Sequence, residues 1–78
     1  MPKIVPVKWQ VLACIFQKDG FVWNRQKASH RVYEKDGILR PVIIPIHKKP
    51  IDVNIIKSNM RTAKMSRERY FELLAECL

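Results

Sequence analysis

One short segment of this chain brings together side chains that can act on a phosphate ester. It runs from Arg25 to His30 and reads Arg-Gln-Lys-Ala-Ser-His. A histidine exchanges a proton near neutral pH, and the cationic groups of Arg25 and Lys27 can hold a phosphate beside it. The segment therefore predicts acid–base chemistry on a phosphodiester. A histidine near two cations also occurs by chance on basic surfaces. Other features of the chain must therefore show whether this segment is a catalytic site.

The charge of the chain is consistent with an anionic partner. Fifteen basic residues stand against seven acidic ones, which gives a net charge of +8. Segment 66–78 has more acidic than basic residues, so the positive charge is concentrated in residues 1–65. A positively charged surface of this kind favours binding to nucleic acid, an anionic membrane or an acidic protein. The alternative is that the charge only keeps the protein soluble. Because no apolar run approaches the roughly 20 residues that span a bilayer, we expect no membrane partner.

The length of 78 residues predicts a single domain over residues 1–78, in which residues 1–7 form an extended arm. Cys14 and Cys77 follow no metal-binding spacing and are too few for a disulfide scaffold. We interpret them as free thiols in a reducing compartment. The chain is therefore expected to be cytoplasmic. Separately, we expect no metal and no small-molecule cofactor.

Apolar residues at helical spacing predict three helices. The first covers Lys8–Lys18 and ends at Asp19-Gly20, since glycine is common just past a helix C-terminus. Asp52 is expected to cap a second helix that runs to Ala63, and Ser66 to cap a third.

Between the first two helices the pattern changes to that of strands. We predict three, over Phe21–Gln26, Ser29–Lys35 and Ile38–Ile46. The Asp36-Gly37 pair is a strong hairpin signal. Pro41 and Pro45 lack a backbone N–H on the same side of the third strand, so that side cannot face a partner strand. The third strand is therefore predicted to be an edge.

Alternation along the third strand divides its side chains between two faces. Val42, Ile44 and Ile46 are assigned to the core, whereas Ile43 and His47 are assigned to the opposite face. The predicted fold class is α+β in the order α-β-β-β-α-α, with helices on one face of a three-stranded antiparallel sheet.

A basic stripe follows the exposed side of the second helix. Lys57, Arg61 and Lys64 recur there at helical spacing. Two interpretations stay open. The stripe is a solvated helix face, or it contacts RNA phosphates, since double-stranded RNA is recognised mostly by shape and backbone.

Five segments taken together resemble the HicA toxins, small bacterial ribonucleases of toxin–antitoxin systems. The family's R-Q-K-G-S-H segment is similar to Arg25–His30, and its V-P-x-H strand end to Pro45-Ile46-His47. The start Met1-Pro2-Lys3, the helix end Asp19-Gly20-Phe21 and the Ser-initiated segment Ser66–Phe71 also resemble the family. The likeness covers nearly the whole chain.

The resemblance implies a fold like that of double-stranded-RNA-binding domains, metal-independent cleavage of mRNA and neutralisation by a HicB-type antitoxin. The family's catalytic histidine falls on His30. With that role, Arg25 and Lys27 are expected to clamp the phosphate and Ser29 to position the loop. His47 is a possible auxiliary group, whether in proton transfer, phosphate binding or structure.

The chain departs from the family at Ala28, where the family usually has glycine. If that turn position requires a positive φ, alanine costs about 1–2 kcal/mol there. Two other functions remain open from sequence: a non-catalytic RNA-binding module that uses the same basic face, and a small subunit that only binds a protein partner.

Overall fold

The structure, a computed structural model, describes residues 2–78; Met1, where the predicted arm begins, lies outside the described residues. The elements are α1 (Trp9–Lys18), β1 (Val22–Lys27), β2 (His30–Glu34), β3 (Val42–Pro45), α2 (Val53–Ala63) and α3 (Arg67–Cys77). The strands form one antiparallel sheet in the order β1-β2-β3. The predicted fold class and element order are confirmed.

Side-chain caps start α2 and α3 where the sequence predicted. The Asp52 carboxylate accepts a hydrogen bond of 2.9 Å from the N–H of Asn54 at the start of α2. The Ser66 hydroxyl accepts one of 3.1 Å from the N–H of Arg69 at the start of α3. These bonds satisfy N–H groups that a helix start leaves without partners. None of the helices that the structure describes is long and apolar enough to span a bilayer.

The core lies between the three helices and one face of the sheet. Val42 and Ile44 are fully buried there, whereas Ile43 on the other face is 45% exposed, which confirms the predicted alternation. Ile46 is half-buried. Tyr33 of β2 lies opposite Val42 in the register and is also fully buried, so β2 contributes to the same core.

The predicted start of the third strand at Ile38 is wrong, because β3 begins only at Val42. The Asp36-Gly37 turn does form, with the Ile38 N–H donating to the Lys35 carbonyl at 3.1 Å. Of its two central residues only Gly37 has a positive φ, of 88°, which is the pattern of a type II turn. Type II turns splay the flanking strands, and strand pairing therefore resumes only four residues later.

The open edge of β3 is covered by one side chain of α2. Asn59, which is buried, accepts a hydrogen bond of 3.3 Å from the Ile43 N–H and donates one of 2.9 Å to the Ile43 carbonyl. These backbone groups point away from β2, so the predicted edge strand is confirmed. Leaving either group buried and unpaired would cost about 1–3 kcal/mol. No local pattern in the sequence predicts this contact, because Asn59 and Ile43 are 16 positions apart.

The helix α3 is attached to the rest of the domain around Asp19. The Asp19 carboxylate is mostly buried, and it accepts from the Arg69 guanidinium at 3.2 Å and lies 3.6 Å from the Lys35 ammonium. The hydrogen bond to Asp19 is the main reason that the pKa of Arg69 is raised. One carboxylate thus joins the end of α1, the end of β2 and α3.

The interpretation of Cys14 and Cys77 as free thiols is wrong, because the two residues form a disulfide. Packing of α3 on α1 brings their Cα atoms to 5.9 Å although 63 positions separate them in sequence. That distance lies within the usual range for a disulfide. The cytoplasmic location stays a prediction, and the cysteines no longer support it.

Candidate functional site

The register of the sheet brings Arg25, Lys27 and His30 to one face. Residues directly opposite in an antiparallel pair share a face. Lys27 lies opposite His30, and Arg25 lies opposite Val32. Because His30 and Val32 alternate with the core residue Tyr33 along β2, all three polar side chains lie on the face away from the helices.

This face is open to a ligand. Arg25, Lys27 and His30 are all exposed, and so is every other residue of β1. Opposite residues have Cβ atoms about 5 Å apart, and the next residue on the same face of a strand is about 6–7 Å away. A single phosphate group can therefore contact both cations while it lies beside the imidazole.

A two-residue turn, Ala28-Ser29, connects β1 to β2 at this end of the sheet, one residue later than predicted. Ala28 has φ of 53°, whereas Ser29 is not among the residues with positive φ. This is the pattern of a type II′ turn, which favours glycine at its first central position. The Ser29 carbonyl accepts a 2.7 Å hydrogen bond from the Ile46 N–H and ties the turn to the end of β3.

Replacing Ala28 with glycine should therefore stabilise the protein and keep or increase its activity. The left-handed conformation costs alanine about 1–2 kcal/mol, and the added freedom of glycine in the unfolded chain offsets part of that gain. We expect the free energy of unfolding in urea to rise by about 0.5–1 kcal/mol.

Ala75→Gly is the matched control, because Ala75 is exposed within α3. The same chemical change should lower stability there by roughly 0.5–1 kcal/mol. If both variants lose stability, the turn has been optimised around alanine.

Arg31 stabilises the Ala28-Ser29 turn through contacts on the helix side of the sheet. Its guanidinium donates to the Gln26 side chain at 3.4 Å and lies 4.8 Å from the centre of the Trp9 ring. Gln26 in turn donates to the Ala28 carbonyl at 3.3 Å. Arg31 is not among the predicted site residues, although its place two residues before Tyr33 in β2 puts it on this side of the sheet.

The stripe on α2 does not join the His30 site. Lys57, Arg61 and Lys64 are exposed as predicted. Arg61 and Lys64 line a cavity of about 440 Å³ beside Arg40, which follows the turn at the far end of β2. The strand alone separates that end from His30 by about 13 Å. The basic stripe is therefore a second surface.

His47 lies at the same end of the sheet as His30. The register places Pro45 opposite His30, and His47 follows two residues later. Its side chain is exposed, and its Nδ1 atom is 2.8 Å from the carbonyl oxygen of Lys49. From the sequence alone His47 could be placed only at the end of an edge strand, because strand register is set by the tertiary structure.

A three-stranded antiparallel sheet backed by helices in this order is consistent with the class of double-stranded-RNA-binding-domain-like folds. Within that class, the family model for the HicA toxin of bacterial toxin–antitoxin systems matches residues 9–65, and the chain belongs to this family. The match includes α1, the sheet and α2, and it ends before α3. No curated protein matches the sequence.

Proposed function

We propose that this HicA toxin is a metal-independent endoribonuclease that cleaves mRNA, with His30 as its general base. The proposal rests on family membership and on one observation: the register sets Lys27 opposite His30 and Arg25 on the same exposed face. These three side chains supply a general base and two cations that can bind the phosphate.

RNA supplies its own nucleophile in the 2′-hydroxyl. Neutral His30 takes the proton from this hydroxyl as its oxygen attacks phosphorus. Arg25 and Lys27 stabilise the negative charge that accumulates on the phosphoryl oxygens. The turn that Ser29 ties to β3 holds the imidazole beside them. The exposed stripe of Lys57, Arg61 and Lys64 contacts phosphates farther along the RNA.

Membership in a toxin–antitoxin family implies an antitoxin partner. We propose a HicB-type protein that covers the open face of the sheet. Because that face carries Arg25 and Lys27, the antitoxin would present acidic or hydrogen-bonding groups to it. Covering His30 would exclude RNA from the site.

The proposal is tested with purified protein and an RNA oligonucleotide in excess EDTA. We expect cleavage that leaves a 2′,3′-cyclic phosphate and a 5′-hydroxyl. The matched control is the same RNA with a single 2′-deoxy nucleotide at the cleavage site, which should block cleavage there because the nucleophile is missing.

Two outcomes would contradict the proposal. Cleavage at the 2′-deoxy position would mean that the nucleophile comes from elsewhere. RNA binding that weakens steeply with salt but never leads to cleavage, with or without Mg²⁺, would instead identify a non-catalytic RNA-binding module.

A further inference from the structure

Cleavage by His30 alone leaves one proton unaccounted for. The 5′-oxygen that departs from phosphorus must acquire a proton, and the Arg25–His30 segment offers no second group that exchanges one near neutral pH. The only other imidazole in the chain is that of His47.

The sheet brings the two histidines to one end. Besides the pairing of His30 with Pro45, the Ile46 N–H donates to the Ser29 carbonyl at 2.7 Å, so β3 stays against the turn up to the residue before His47. The end of an antiparallel strand meets the start of its neighbour. Strand pairing alone therefore brings His30 and His47 to the same end of the sheet, although 17 positions separate them in sequence.

The hydrogen bond of His47 fixes which ring nitrogen can act. A carbonyl oxygen only accepts, so Nδ1, at 2.8 Å from the Lys49 carbonyl, carries a proton. The other nitrogen, Nε2, is then the one that gains and loses a proton. A ring held in this way by its own loop can present a proton at Nε2 in a fixed direction.

A recess beside His47 offers room for the departing part of the RNA. It has a volume of about 440 Å³ and is lined by Lys8, Trp9, Gln10, Ile46, His47 and Lys48. Its two lysines can hold a phosphate, and the part of the Trp9 ring that Arg31 and the core leave uncovered forms an apolar wall. Cations beside an aromatic ring are found in sites for single-stranded RNA. Because Trp9 contacts Arg31 on the helix side of the sheet, this recess lies around the end of the sheet from His30. The nucleotide that follows the scissile bond would enter it by passing His47 at that end.

We propose that His47 is the general acid of the reaction, an inference that rests on the proposed function. His30 accepts the 2′-hydroxyl proton, and the 2′-oxygen forms its bond to phosphorus. The bond from phosphorus to the 5′-oxygen breaks, and Nε2 of His47 gives its proton to that oxygen. The products are a 2′,3′-cyclic phosphate and a 5′-hydroxyl, with His30 protonated and His47 neutral until each exchanges a proton with water.

The test replaces one atom of the substrate. In an RNA oligonucleotide with sulfur in place of the bridging 5′-oxygen, the leaving thiolate needs no proton. We expect His47→Ala to lower kcat by about 100-fold or more on the oxygen substrate and by less than about 5-fold on the sulfur substrate. His30→Ala should be defective on both, because attack by the 2′-hydroxyl is common to them.

His47→Asn separates chemistry from structure. Its amide can still donate to the Lys49 carbonyl but cannot deliver a proton, so we expect the same substrate-dependent loss as in His47→Ala. Full activity of the asparagine variant would show that only the loop hydrogen bond matters and would overturn the proposal. Equal losses on both substrates would do the same. If the wild type cleaves neither substrate, the proposed function itself fails and the inference falls with it.

Discussion

Replacing His30 with alanine should lower the rate of RNA cleavage by about 100-fold or more, because general acid–base catalysis contributes 10²–10⁴-fold. Growth arrest on induction in a bacterial host should disappear in parallel. The purified variant is assayed on RNA in EDTA, with the fraction of intact substrate followed over time.

The variant should remain folded, which makes the result interpretable. His30 is exposed at the start of β2, and exposed substitutions usually change stability by less than about 0.5 kcal/mol. Gln17→Ala, exposed on α1 and outside the proposed site, serves as the matched control and should cleave at the wild-type rate. A folded His30→Ala protein that still cuts RNA would remove His30 from the mechanism.

Reduction of the Cys14–Cys77 disulfide should cause the largest change in stability. The bond closes a loop across 63 positions, and cross-linking a loop of that length lowers the entropy of the unfolded chain by the equivalent of about 4 kcal/mol. For a domain of this size, we expect the melting temperature to fall by on the order of 20 °C. Thermal unfolding with and without reductant measures the difference.

The control is the double variant Cys14→Ala/Cys77→Ala, which should melt near the reduced wild type and be insensitive to reductant. Equal melting temperatures of the wild type in both conditions would mean that the bond does not form in solution. The disulfide holds α3 to α1 together with the contact of Arg69 with Asp19 and the burial of Tyr70 and Leu73 in the core.

The features that the sequence predicted correctly are those with a short-range cause. Asp52 and Ser66 cap helices because each side chain reaches an N–H two or three residues away. Pro41 and Pro45 identify an edge strand because each lacks a donor of its own. The sequence left the backbone conformation of Ala28 open, and the observed Ala28-Ser29 turn gives it a positive φ.

The late start of β3 and the one-residue shift of the β1–β2 turn have local causes, but the other errors and omissions involve residues far apart in the chain. The disulfide depends on how α3 packs against α1, and the Asn59 contact depends on where α2 meets β3. The meeting of His30 with the end of β3 depends on register. Local patterns therefore determined which elements form and which residues can do chemistry. Tertiary structure decided which of those residues meet, because a contact between distant segments is fixed by the packing of the whole domain.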